Sequence, residues 1–240
     1  MNYTWKQKIA AWAVHALTMS GLVFACLAAL SLMHGELKMM WLYLGIAMLI
    51  DGIDGTFARA AKVREVIPWF NGSVVDIAVD YITWSFLPAL FMYLYLPFGH
   101  AVLAFVAMIA VVTSSMFCYA NEGEKSSDNY FVGFPAAWNI VAVCLWILHV
   151  PGWLNVVIVA VLVILTFIPT YYTHPFRVKK MMIANIVVSL VWVGATAGLV
   201  ATYGTQPLWL HITFWVSGLW FLVTGAIRTV TGQDAAAQLS

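Results

Sequence analysis

Asp51, Asp54, Asp76 and Asp80 all fall within one stretch, DGIDGTFARAAKVREVIPWFNGSVVDIAVD, of a 240-residue chain with ten acidic residues in total. The first pair is three residues apart and the second four apart, spacings that put each pair on one side of a helix. Carboxylates gathered in an apolar setting repel one another and resist desolvation, and a divalent cation relieves both problems. Oxygen donors with no histidine or cysteine nearby favour Mg²⁺ or Mn²⁺ over zinc. Four such groups can hold two ions, the arrangement that clamps the oxygens of a phosphoryl group in transfer. Gly55 and Ala58 continue the helix without bulk, so a nucleotide can lie against it, and Arg59 offers a planar donor to phosphate. Two other readings compete. Any single aspartate can be a solvated helix cap, and intramembrane acids also serve ion transport, including divalent-cation transporters. Transport sites usually lie nearer the midplane and lack a neighbouring arginine.

The elements that must position these residues are membrane helices. The chain is 63% hydrophobic and 9% charged, with a mean hydropathy of +0.91, where a soluble domain carries about a quarter charged residues. About eight segments approach the ~20 apolar residues that cross a bilayer: 9–33, 39–61, 74–97, 101–119, 132–149, 152–172, 181–203 and 207–227. The expected fold is therefore all-α, a polytopic integral membrane protein forming one domain over 1–240. Lys6, Lys8, Arg59, Lys62, Arg64, Lys125, Arg177, Lys179, Lys180 and Arg228 fall on one side and only Lys38 on the other. The positive-inside rule makes that side cytoplasmic, with both termini and the aspartates facing it. A net charge of +1 argues against a nucleic-acid partner. Cys26, Cys118 and Cys144 lack metal-ligand spacing and read as small core residues. The helix ending near Ala61 and the one starting near Gly72–Ser73 are antiparallel neighbours, so both carboxylate pairs can meet just inside the cytoplasmic surface.

The pattern D-x-x-D-G-x-x-A-R, a spacer, then G-x-x-x-D-x-x-x-D, here Asp51, Asp54, Gly55, Ala58, Arg59, Gly72, Asp76 and Asp80, resembles the motif of the CDP-alcohol phosphotransferases. The twelve-residue spacer, 60–71, is longer than that family usually has. Together with two additional C-terminal helices and YFVGFPAAWNIV at 130–141, it is similar to the bacterial branch that makes phosphatidylcholine. The resemblance implies a six-helix membrane core, usually a homodimer in the inner membrane. It implies metal binding by Asp51, Asp54 and Asp76, with Asp80 assisting and acting as the base. Gly55, Ala58, Arg59 and Gly72 would meet the CDP-diacylglycerol substrate. The implied reaction joins CDP-diacylglycerol and choline to give phosphatidylcholine and CMP, with Mn²⁺ preferred over Mg²⁺. Serine, inositol or glycerol phosphate are alternative acceptors.

Choline is a quaternary ammonium and is recognised by aromatic faces. Trp84, one turn beyond Asp80, is the first candidate, followed by Tyr119 and Trp138. The longest polar stretch, NEGEKSSDNYF at 121–131, reads as a solvated connector or as a lid carrying Glu122 for the ammonium and Lys125 for a phosphate. His15 and His211 read as packed side chains.

Overall fold

Thr4 opens the first helix because its side chain and that of Gln7 satisfy each other's backbone: the Gln7 N–H donates to Thr4 Oγ1, and the Thr4 N–H donates to Gln7 Oε1 at 2.8 Å. This capping box starts α1 (Trp5–Met33). The computed structural model describes residues 3–121, 123, 126–178 and 181–231. Glu122, Lys125, Lys179 and Lys180 lie outside the described residues.

After α1 come α2 (Leu37–Ala60), a short α3 (Val63–Val66) and α4 (Gly72–Asp80). α4 continues through a π-helical segment (Tyr81–Phe86) into α5 (Leu87–Tyr95). Pro88 follows the wide turn; its ring excludes the carbonyl four residues back, at Trp84, and it has no N–H to donate. Then follow α6 (Ala101–Ala120), β1 (Phe131–Val132), α7 (Trp138–Ile147), α8 (Gly152–Thr166), β2 (Tyr171–Tyr172), α9 (Met182–Ala201) and α10 (Leu208–Thr231). Among the described residues, five helical stretches are long and apolar enough to cross a membrane: Trp5–Met33, Gly72–Tyr95, Ala101–Ala120, Met182–Ala201 and Leu208–Thr231. α2 is of similar length but carries Asp51, Asp54 and Arg59. The protein is an all-α, multi-pass membrane protein with one short strand pair.

The chain divides into two compact units. The first comprises Met1–Leu94 and Trp138–Val143. Here α1 lies along α2 and also touches α3 and α4. Its buried stripe is Ala11, His15, Thr18, Gly21, Ala25, Ala28, Ser31 and Leu32, mostly small residues of the kind that let membrane helices approach closely. Cys26 lies off that stripe and is exposed, which corrects its expected place in the core; Cys118 is buried and Cys144 half-buried.

The second unit, Tyr95–Ala137 and Cys144–Ser240, packs α6 on α8 and α9 on α10. Trp220 Nε1 donates to Asn185 Oδ1 at 2.9 Å, tying α10 to α9. The spans expected at 132–149 and 152–172 are shorter than the sequence suggested. α7 has ten residues and α8 fifteen, about 15 and 22 Å of helix. The residues before α7 and after α8 are extended instead, pairing antiparallel as Phe131 with Tyr172 and Val132 with Tyr171. Gly133 makes this possible. Its φ is +81° and a side chain there would meet the Thr166 carbonyl at 2.5 Å, while Pro135 keeps the helix from starting earlier.

Arg228 closes this unit. It is 4% exposed, and its Nε donates to Asp128 Oδ2 at 2.7 Å while Nη2 donates to Oδ1 at 3.3 Å. The guanidinium also lies over the Tyr171 ring at 4.2 Å. Burial alone would raise the Asp128 carboxyl. Hydrogen bonds from Arg228 and Ser126, with the Arg228 charge, outweigh it and hold the group below the usual carboxylate range. A depressed carboxylate contributes stability above its unfolded pKa of about 3.9 and loses it as pH falls through the folded value. Asp128→Ala should cost about 2–3 kcal/mol, read as a lowered Tm in detergent at neutral pH. The loss should start to shrink below about pH 3.9 and vanish once pH has fallen through the lower folded value, where wild type loses the ionised partner too. Adding Arg228→Met should recover part of the Tm, because it removes the stranded buried charge.

Candidate metal centre

Asp51 on α2 and Asp76 and Asp80 on α4 each bring one carboxylate oxygen to a common place, all within 4.8 Å of one another. All three are half-buried. The two helices do this because α1 packs against both. Among the described residues this is the one acidic cluster of its kind. Its donor set suits a hard divalent cation, which prefers oxygen ligands. Three negative groups this close, flanked by apolar helix faces, need positive charge between them.

Asp54 stands beside these three, on α2 and three residues from Asp51. It is 5% exposed, and its Oδ2 accepts a hydrogen bond from Thr18 Oγ1 at 2.7 Å. Three of the four expected carboxylates bring oxygens within 4.8 Å of one another, and the fourth, Asp54, has one oxygen bound to α1. Three residues along a helix turn a side chain about 60° away from the starting face, and on α2 that rotation takes Asp54 to α1. Asp76 and Asp80, four apart, diverge by only about 40°.

The remaining motif residues divide between the two helices. Arg59 folds back along α2, its Nη2 donating to Thr56 Oγ1 at 3.0 Å and its Nη1 lying 3.5 Å from where a Gly55 side chain would begin. Its guanidinium is exposed. Ala58 packs on a small apolar cluster of Ala11, Val63, Val66 and Ile67. The long spacer thus has its own core against α1. It is further fixed by Arg64 Nη2 donating to Ser73 Oγ at 2.8 Å and by Tyr3 Oη donating to Glu65 Oε2 at 3.2 Å.

Gly72 lies under the His15 ring, where an added Cβ would fall 2.7 Å from Cε1. That ring is 4% exposed and packs on Phe70 at 4.6 Å. Of the aromatic candidates, Trp84 is half-buried within the π-helical segment, and π turns recur at functional sites. Tyr119 ends α6 in the other unit, and Trp138 is 0% exposed, wholly enclosed by protein. His15 is packed as expected, and Thr18 is the neighbour of the acidic residues that sequence reasoning missed. The available signal was polar side chains one turn apart on a helix stripe otherwise made chiefly of alanine and glycine.

The family model for CDP-alcohol phosphatidyltransferase matches residues 13–168. The chain is 46% identical over 215 residues to the phosphatidylcholine synthase of Pseudomonas aeruginosa, covering 89% of this chain and 87% of that protein. Phosphatidylcholine synthases of Brucella melitensis and Agrobacterium fabrum are each 36% identical, over 94% and 92% of this chain and 83% and 91% of theirs.

Gly72→Ala should lower the Tm, since overpacking a filled site costs about 1–3 kcal/mol. His15→Ala should restore much of it in the double variant by opening the space. Equal loss in single and double variants would mean that the glycine is needed for something other than room for the ring.

Proposed function

The chain belongs to the CDP-alcohol phosphatidyltransferase family, and from that premise we propose that it joins choline to the phosphatidyl group of CDP-diacylglycerol, releasing CMP. The observation that carries this reading is a three-carboxylate cluster in a chain whose relatives, named phosphatidylcholine synthase, match about nine-tenths of it. In this reading Asp51, Asp54, Asp76 and Asp80 hold the divalent metal, and the family motif assigns Gly55, Ala58, Arg59 and Gly72 to the nucleotide side. A bound Mn²⁺ or Mg²⁺, one ion or two, would neutralise the diphosphate and make its phosphorus more electrophilic.

The chain's own residues then have distinct tasks. The exposed Arg59 guanidinium offers planar donors to phosphate oxygens. Asp80 takes the hydroxyl proton of choline as the choline oxygen bonds to the phosphorus that carries diacylglycerol. The bond from that phosphorus to the bridging oxygen breaks, and CMP leaves with the electron pair. The ammonium is read by rings, Trp84 first, then Tyr119 and Trp138, with the Glu122 carboxylate as a further candidate, while Lys125 meets phosphate. The basic residues gathered on one side support a cytoplasmic site and termini in an inner-membrane protein. The whole chain is read as one membrane domain acting as a homodimer without nucleic acid.

The test is CMP release by purified protein given CDP-diacylglycerol, Mn²⁺ and a panel of choline, ethanolamine, serine, inositol and glycerol 3-phosphate. Choline should be used far better than ethanolamine, whose hydrated primary ammonium gains less from rings, and chelation should abolish turnover. Preferential use of another acceptor would overturn the reading. Asp80→Asn should lower kcat by about 10²–10⁴-fold while CDP-diacylglycerol still binds. Normal turnover by this variant would remove Asp80 as the base.

A further inference from the structure

Asp54 differs from the other three aspartates in having its position set by a helix outside the motif. The Thr18 hydroxyl has two acceptors in reach, Asp54 Oδ2 at 2.7 Å and the Val14 carbonyl at 3.4 Å. A threonine on a helix ordinarily donates back to the carbonyl four residues earlier. Here the shorter contact crosses to α2 instead. Both side chains are shielded, Thr18 at 8% and Asp54 at 5% exposure.

Thr18 is also held at a fixed height. Three residues before it, the His15 ring lies against Gly72; three residues after it, Gly21 sits so close to α4 that a Cβ would meet Val79 Cγ1 at 2.7 Å. These two close approaches bracket Thr18 and fix the rotation and axial register of α1 against α4. The same α1 face therefore meets α4, which carries Asp76 and Asp80, and holds Asp54 of α2 by one oxygen. Oδ2 accepts the hydroxyl's hydrogen bond, and Oδ1, which this contact does not use, keeps both lone pairs for a cation.

We propose that Thr18 is a positioning residue for the metal site: its hydroxyl fixes the rotamer of Asp54 so that the fourth carboxylate is ready before a cation arrives. This rests on the metal-dependent reading given above. Groups that orient a metal ligand typically change metal affinity by about 10–100-fold when removed. The Thr18 hydroxyl would have that effect without touching ion or substrate.

The experiment measures Mn²⁺ binding to the full-length protein in detergent, without substrate, by the electron paramagnetic resonance signal of free Mn²⁺, alongside the Tm without metal. Thr18→Val keeps the shape and deletes the donor; its Mn²⁺ affinity should fall at least about tenfold. Thr18→Ser restores the donor and should bind as wild type does. In an Asp54→Asn background, Thr18→Val should add little further loss, because the two act through one contact. If Thr18→Val does not fold, Thr18→Cys, with only a weak S–H donor, takes its place with the same expectation. Wild-type affinity in the folded donor-less variant, or fully additive losses with Asp54→Asn, would overturn the proposal while leaving the catalytic reading intact. Absence of Mn²⁺ binding by wild type would overturn both. Failure to use choline, with the Thr18 effect present, would overturn only the acceptor assignment.

Discussion

Three carboxylate oxygens within 4.8 Å of one another are the constraint around which the first unit is organised. Left alone in apolar surroundings, they would repel each other and drive α2 and α4 apart. Two things oppose that. A divalent cation bound there would supply the charge, and tight helix packing supplies the geometry beforehand. A flexible arrangement would have to gather the carboxylates at the moment of binding, at a cost in ordering set against the affinity.

The packing comes from α1, whose sequence contributes nothing to the acidic motif. Its buried stripe of small residues lets α2 and α4 approach closely, and two of its polar side chains make contacts that bear on the site. His15 fills the space over Gly72 and Thr18 holds Asp54. The glycine of the second half-motif is accounted for by this contact: the residue is small because a ring from another helix occupies the position of its side chain. The long spacer is likewise ordered, with Val63, Val66 and Ile67 buried against Ala11.

Much of this was legible in the sequence, and the failures have physical causes. The boundaries of α1, α2, α6, α9 and α10 follow from long apolar runs bounded by polar or turn-forming residues, so hydropathy finds them within a few residues. The stretch 131–137 reads as equally apolar, yet Gly133 in a left-handed conformation and Pro135 make it extended. Hydropathy reports environment, and it cannot distinguish buried helix from buried strand. Asp51, Asp76 and Asp80 come together as their spacing suggested. That Asp54 is also held by α1 could not be read, because the sequence gives no information about which neighbour lies 60° around the helix, and its partner Thr18 is 36 residues away.

The contact between Arg228 and Asp128 bears on how the chain is made. The family match ends at residue 168, so α9 and α10 look like an appendage that could be added or lost freely. Arg228 reaches back 100 residues to Asp128, inside the matched region. At a synthesis rate of about 5–20 residues per second, the carboxylate emerges about 5–20 s before its partner. The second unit therefore cannot finish folding as its helices enter the membrane one by one; its loop 126–130 waits for nearly the last turn of the last described helix. A ribosome that stalls after α8 would leave that loop without its cation, and the appended helices are the final step of assembly for the part of the chain that precedes them.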